Sequence, residues 1–525
     1  MPLIYLAEIV AYDPSVVGTV TLRYASTGWA GAGAPGFYDG RITVPPVIQR
    51  TAFAAGTTGG AVETGFGDLT LANPDGGLDG LVDYGFDGRE LRILLGDDTM
   101  AYGAFVLVMK GTMEQPVFTL DTVSIRVRDR LFELEKPLQP TRYAGTNSGA
   151  TGQEGTADDI EGRPKPRVWG RVLNVTPPQV NAVQLVYQVN DGAVQDVPAV
   201  YEGGLAIGTR GADYTSLSDL TTNAPAAGAY RVWPAGGLFR LGSSPTLPIT
   251  ADVDEGANAA ARTAAQLVNR IVTGPGGIAG GDVSASDLTA LDAATSAVVG
   301  VYVAEETTVR DVVASVASGV GAWAGFDRLG VFRVRRLDAP SGVPVATFRR
   351  LDRVSVATAT TGDVVDLERL PTADDGRGVP VFRCVLSYAR NWTPQTGDQV
   401  AAAVTQARRA FLAEPVRQEV ATDTTVQTKH LRAGELTRET LLVSQAALAT
   451  EAARVLDLYK VRRDMARLRT VLDPTLAALV DLGVTVSVEM PRYGYDAGRL
   501  MTVIGITTGV EPELRPDLVD LLVWG

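Results

Sequence analysis

Val123, Ile125 and Val127 alternate with Ser124, Arg126 and Arg128, a period of two that predicts a strand with one wet face. The same period predicts shorter strands in "FVLVMKG" and "ELRILLG", the latter launched from an Asp87-Gly88 turn. Farther along, prolines at 164, 166, 177 and 178 bracket a strand over 168–175, because proline cannot sit in a central ladder. "AVQLVYQVNDGAVQDVPAVYEGG" predicts a hairpin turning at Asn190-Asp191-Gly192, with Leu185, Tyr187 and Val189 on one face. Late in the chain, Val484, Val486, Val488 and Met490 alternate with Thr485, Ser487 and Glu489, and "GRLMTVIGI" and "LVDLLVWG" add two strands.

Helical spacing is confined to the later part. Ala260, Ala264, Leu267 and Ile271 share a face, and Gly274-Pro275 ends that helix. A second helix begins at Thr308, whose hydroxyl can cap the amide of Asp311. Val309, Val312, Val313 and Val316 form its stripe, and Gly319 offers a left-handed terminus. "GAWAGF", "DRLG" and "VFRVRRL" predict a hairpin packed on it, with Trp323 and Phe332 in the core. A last helix covers 444–459, with Leu448, Ala452, Val455 and Tyr459 on one face.

The polar, glycine-rich stretch 145–162 predicts an exposed linker. The expected division is a β-domain over 1–144, a β-rich middle over 163–255, an α+β part over 256–350, and a C-terminal β-domain over 351–525 with one long helix. The fold class is therefore mainly β with α+β parts: barrel or sandwich domains near both chain ends and a mixed middle. "GLVDYGFDG" and "ALVDLGVTV" form a faint internal echo, too short to establish a repeat.

Composition narrows the function. A chain of 525 residues can bury several cores. Its 60 acidic against 47 basic residues give a net charge of −13, the wrong sign for gripping nucleic acid through phosphates. A single cysteine, Cys384, excludes an internal disulfide framework and sits in an alternating stretch as a structural thiol. A single histidine, His430, argues against a histidine metal site or a Ser-His-Asp triad. "MPLIYLAEIV" lacks the basic and apolar regions of a signal peptide, and no run reaches the ~18 apolar residues of a membrane span. A soluble chain made in a cytoplasm is the expectation.

The search for chemistry returns no catalytic, cofactor-binding or metal-ligating set. In "DGGLDGLVDYGFDGRELRILLGDD", Asp75, Asp79, Asp83 and Asp87 recur every fourth residue. A calcium loop needs oxygen ligands at every second position, so scaffold is favoured over a cation site. "GTTGG" at 56–60 lacks the lysine and hydroxyl residue of a phosphate loop. Glu305-Glu306 and Asp374-Asp375 could do glycosidase chemistry in principle, but adjacent acids at turns are usually solvated. "RPKPRVWGR" is read as a strand-entry or interface segment rather than a nucleic-acid patch, with Arg163, Lys165 and Arg167 exposed and Trp169 packed. "RRLDR" at 349–353, with Arg333 and Arg335, is expected to pair with acidic neighbours.

Four stretches carry a resemblance: "NPDGGLDGLVDYGFDGRELRILLG", "GRPKPRVWGRVLNVTPPQVNAVQLVYQVNDG", "TTVRDVVASVASGVGAWAGFDRLGVFRVRRL", and "PRYGYDAGRLMTVIGI" with "DLLVWG". In this order they resemble the tail hub (baseplate hub) proteins of long-tailed bacteriophages and related prophages. The resemblance implies a structural virion protein without catalytic residues. It also implies a homotrimer with tube-like β-domains, joining the distal tail ring to tip or central fibre proteins. The tape measure protein is a further candidate partner, and phage DNA passes the lumen without specific binding. Three such chains would carry −39, and an acidic bore that lets DNA slip is expected. The competing expectation is a carbohydrate-binding or carbohydrate-cleaving tail-tip protein. It would need an aromatic-lined groove, whereas the aromatics are scattered.

Overall fold

The structure, a computed structural model, describes residues 3–45, 47–53, 63–64, 66–147, 152–350, 360–370, 380–509 and 518–525. It is a mixed α/β fold in which β-barrels dominate both ends of the chain.

The first barrel follows the order Gly18–Ala25, Leu3–Asp13, Glu90–Asp97, Val106–Met113, Thr122–Arg128, Phe66–Ala72 and Ile42–Val44. It closes through a parallel bridge between Tyr24 and Asp39, where the Ala25 amide donates to the Asp39 carbonyl at 2.7 Å. The predicted alternation holds: Val123, Ile125 and Val127 are buried, while Ser124, Arg126 and Arg128 are not. Asp87-Gly88 turns into Glu90–Asp97, with Gly88 at φ 70°, a conformation glycine adopts without steric cost.

The second barrel is a closed ring of strands: Thr485–Met490, Thr347–Arg349, Thr361–Leu370, Met465–Val471, Leu518–Trp524, Tyr495–Thr507, and back to Thr485–Met490. Val486 and Val488 are fully buried, as their alternation predicts. A strand from the N-terminal region, Gln49–Thr51, extends this sheet by pairing with residues 505–507. Thr347–Arg349, on the N-terminal side of the 351 boundary, is also one of its strands.

Both barrels contain one connectivity. In the first, Phe66–Ala72 leads through the short helix Asp79–Asp83 to Glu90–Asp97, Val106–Met113 and Thr122–Arg128; the last strand returns to pair with the first. In the second, Met465–Val471 leads through the helix Pro474–Leu479 to Thr485–Met490, Tyr495–Thr507 and Leu518–Trp524, again with last on first. The echo "GLVDYGFDG" and "ALVDLGVTV" falls at the equivalent helix-to-strand junction of each.

Between the barrels lie a sandwich and an α/β layer. The sandwich packs a sheet built on Asp196–Glu202, Ile249–Asp254 and Arg167–Val175 against one built on Val186–Gln188, Leu238–Leu241 and Ala229–Trp233. The hairpin expected at 190–192 does not form. Val186–Gln188 and Asp196–Glu202 belong to opposite sheets, so the chain crosses the sandwich there. The Asn190 carboxamide oxygen accepts from the Val168 amide at 2.9 Å, and the Asp191 amide donates to Pro166 at 2.7 Å. These bonds pin the corner to the first sheet. The side-chain face itself is as expected, with Tyr187 and Val189 in the core.

The α/β layer holds the helices Ala264–Thr273, Ala285–Ala294 and Val309–Ser318 and the hairpin Ala322–Phe326/Phe332–Arg336. Thr308 Oγ1 accepts from the Asp311 amide at 3.1 Å, the predicted cap. Gly319 is right-handed at φ −59°, and the left-handed residue is Gly321 at φ 67°, two residues later than expected. The chain continues through one further turn before reversing, because the Val320 and Gly321 amides bond back to Ala317 and Ser318. The helix Gln445–Tyr459 packs on a three-stranded sheet inserted between two strands of the second barrel. One continuous apolar core runs from the first barrel through the α/β layer into the second, whereas the sandwich has its own.

Candidate functional site

Each barrel buries one carboxylate among arginine and tyrosine. In the first, Glu8 lies on the face of Leu3–Asp13 that also carries Ile4 and Leu6, under the loop that brings in Trp29 and Tyr38. It accepts from Tyr38 at 2.6 Å and Tyr102 at 2.5 Å, and pairs with Arg92 at 2.9 Å. Burial first, then the Glu8 hydrogen bond, pushes the Tyr38 phenol far up.

In the second barrel, Asp464 stands at the start of Met465–Val471 with its side chain 1% exposed. Arg462 grips it with two nitrogens, both at 2.9 Å, while Arg369 pairs at 2.5 Å and Arg499 at 3.6 Å. Tyr495 donates to it at 2.9 Å. Burial would raise the Asp464 pKa, but the bonds from Arg462, Arg369 and Tyr495 outweigh it and hold the carboxyl below its usual range. Burial and the Asp464 bond lift Tyr495 to about 12. Three guanidiniums against one carboxylate leave this cluster positive, and the exposed Asp496 of the same hairpin offsets only part of that charge. Arg463, stacked on Trp524 at 5.4 Å, and the exposed Arg492 add to it. Tyr493, 44% exposed at the hairpin tip, lies beneath both Arg369 and Arg492.

A third cluster joins the barrels. Arg50 from the donated strand pairs with Asp481 at 2.7 Å, and Arg328 donates to Leu107 of the first barrel and Ala478 of the second. Asp129 nearby is raised to about 6 by burial.

The residues singled out from sequence divide as follows. Asp75 pairs with Arg41 at 2.8 Å, a bond that drives its pKa well down; Asp79 accepts from Asn73, and Asp83 and Asp87 are exposed. Among the described residues no cluster of three potential metal ligands occurs. Cys384 is buried and its thiol is pushed to about 12 by desolvation. Glu306 pairs with Arg142 at 2.7 Å. Arg163 is exposed and Trp169 packed, but Lys165 and Arg167 are half-buried, held by Glu154 and by the carbonyl of Asp191. Arg333 and Arg335 share Asp287, and Arg349 faces Glu489. The stretches 56–60 and 351–353 and the pair Asp374-Asp375 lie outside the described residues.

Two clefts lie among the described residues. One of 350 Å³ lies beside Trp323, Arg335 and Asp338, and one of 380 Å³ lies in the sandwich beside Leu205, Ile207 and Glu202. The Glu202 carboxylate is occupied by the amides of Thr246 and Leu247. Sequence reasoning missed Glu8 and Asp464. The available signals were an acid inside the apolar run "LIYLAEIVAY" and an aspartate directly after "RR".

Among the described residues no helix is long and apolar enough to cross a membrane. No protein-family model matches the chain, and no curated protein does. Solved structures do. A 43 kDa tail protein of prophage MuSo2 from Shewanella oneidensis is 12% identical, with 99% of this chain and 98% of that one covered and a TM-score of 0.40. A tail protein from Neisseria meningitidis MC58 is 11% identical over 99% and 96%, with a TM-score of 0.39. A chain from the virion of a native gene transfer agent particle is 16% identical over 75% and 91%, with a TM-score of 0.43. The chain is similar, at low identity, to solved tail proteins and to a chain of a gene transfer agent particle.

Proposed function

We propose that this protein is a structural component of a phage tail tip or baseplate, the homotrimeric hub that joins the distal tail tube to the tip or fibre proteins. The observation that carries the reading is the pair of barrels with one shared connectivity. A chain with two topologically alike modules lets three copies present six, so a threefold assembly can continue a sixfold tube. Closed rotational symmetry also protects strand edges from open-ended growth. The distal tail ring, the tip proteins and the tape measure protein are the partners in this reading, and DNA passes through the bore without specific binding. The chain acts as scaffold and catalyses nothing: the thiol of Cys384 is buried and protonated at neutral pH, Asp75 and Glu306 pair with arginines, and Asp79 accepts from Asn73.

Native mass spectrometry of the purified chain, or a symmetry-free reconstruction of the particle's tail end, tests the assembly. Three copies are expected. A monomer in the particle, or six full copies in one ring, contradicts it. Zymography on host cell wall should show no turnover; activity abolished by a single acidic substitution would replace the scaffold reading with the carbohydrate-cleaving one.

A further inference from the structure

Two hairpin tips hold bulky residues in left-handed backbone, and both side chains are exposed. Tyr493 has φ 63° and Val17 has φ 51°, with Val17 77% exposed. This conformation favours glycine and asparagine, and a β-branched valine there is an outlier. The Val17 side chain projects into solvent, whereas the Tyr493 ring is held by Arg369, Arg492 and the edge of Tyr495 and stays partly open to solvent, and such strain gathers where a surface is used.

The two tips mark chemically opposite surfaces. Tyr493 sits in the arginine-rich end of the second barrel, and exposed Arg492 has no carboxylate partner among the described residues. Val17 sits at the end of the first barrel where Val16, Val82, Val117 and Leu120 are also exposed. Asp83, Asp87 and Asp121 surround them, exposed and without an ion pair among the described residues. One surface offers guanidinium and aromatic rings, residue types enriched at interface hot spots. The other offers carboxylates and apolar tips. They cannot meet within one chain, because the first barrel leans on the opposite end of the second. There Arg328 ties Leu107 to Ala478 in the Pro474–Leu479 helix.

We propose that the arginine-rich end of the second barrel docks onto the acidic end of the first barrel in a second copy of this chain. The inference rests on the hub reading and names its contact: a head-to-tail interface, repeated three times, that closes the ring. The charges set register and speed encounter, and the tips supply the buried contact.

Sedimentation velocity and native mass spectrometry on the full chain test it. Arg492→Asp should weaken self-association by about tenfold or more. Val17→Asn should do the same while leaving the melting point of the dissociated chain unchanged or higher, because asparagine suits the left-handed turn. Tyr493→Asn should also weaken association, with its melting point reporting separately the loss of the Arg369 and Tyr495 contacts. Adding Asp83→Arg and Asp87→Arg to Arg492→Asp should restore association by exchanging the charges. A wild-type trimer that persists in all three single variants overturns this interface and leaves the hub reading standing. A wild-type chain that stays monomeric at every concentration defeats both. Fluorescent double-stranded DNA is the second probe: binding lost in Arg492→Asp with association unchanged would make the arginine end a phosphate site and overturn the docking.

Discussion

The two barrels solve the same problem, a buried carboxylate, with opposite electrostatic results. Glu8 in the first is met by one arginine and two phenols, so the cluster is neutral. Asp464 in the second is met by three arginines and one phenol, so the cluster is positive, and its arginine side chains remain 29–49% exposed. Fold-level equivalence thus coexists with surfaces of different charge. The connectivity makes the two barrels alike, and the side chains around each buried acid set the charge that each presents.

The largest expected effect breaks the second barrel while sparing the first. Val486 is fully buried, and Val486→Asp places a charge in that core at a cost of at least about 4 kcal/mol. Loss of the cooperative melting transition is expected. Ile93, fully buried in the equivalent strand of the first barrel, sharpens the comparison: Ile93→Asp should be equally severe if the barrels are equally essential to the shared core.

Next comes the overmatched acid. Asp464→Asn should destabilise by about 3 kcal/mol, the low end for breaking a buried pair, because the arginines can turn to water. Its pKa is depressed in the fold, so its contribution is present above the unfolded value of about 3.9 and is lost as pH falls through the folded value. The urea midpoints of wild type and Asp464→Asn should therefore differ at neutral pH and converge in strong acid. In the first barrel, Tyr38→Phe removes one bond to a charged acceptor and should cost about 1.5–3 kcal/mol by the same measurement. The smallest effect lies between the barrels: Thr308→Ala removes a helix cap worth about 1 kcal/mol, read as a lower melting point.

What the sequence revealed follows from the range of each interaction. The Thr308 cap spans three residues, and the alternation around Val123 and Val486 is local, so both were legible. The 190–192 hairpin was misread because turn chemistry is local while strand partners are not; Val186–Gln188 takes its partner at Leu238–Leu241. Barrel closure, and the meeting of Arg369 with Asp464 across 95 positions, leave no periodic trace. Opposed charges on distant turns could be counted in the sequence, but only the fold shows that they cap different barrels.

The donated strand Gln49–Thr51 sets a schedule for the molecule's making. Ile48, beside it, bonds to Thr508, 460 positions away. At the ~5–20 residues per second of protein synthesis, the strand emerges about 20–90 s before its partner. Through that interval its edge is open, and neighbouring ribosomes expose the same edge. The strands of the first barrel all lie within residues 3–128, so that barrel can close early, while Gln49–Thr51 waits for its partner at residues 505–507. Pairing with residues 505–507 withdraws that open edge, so protection of a strand from the start of the chain depends on a strand made near its end.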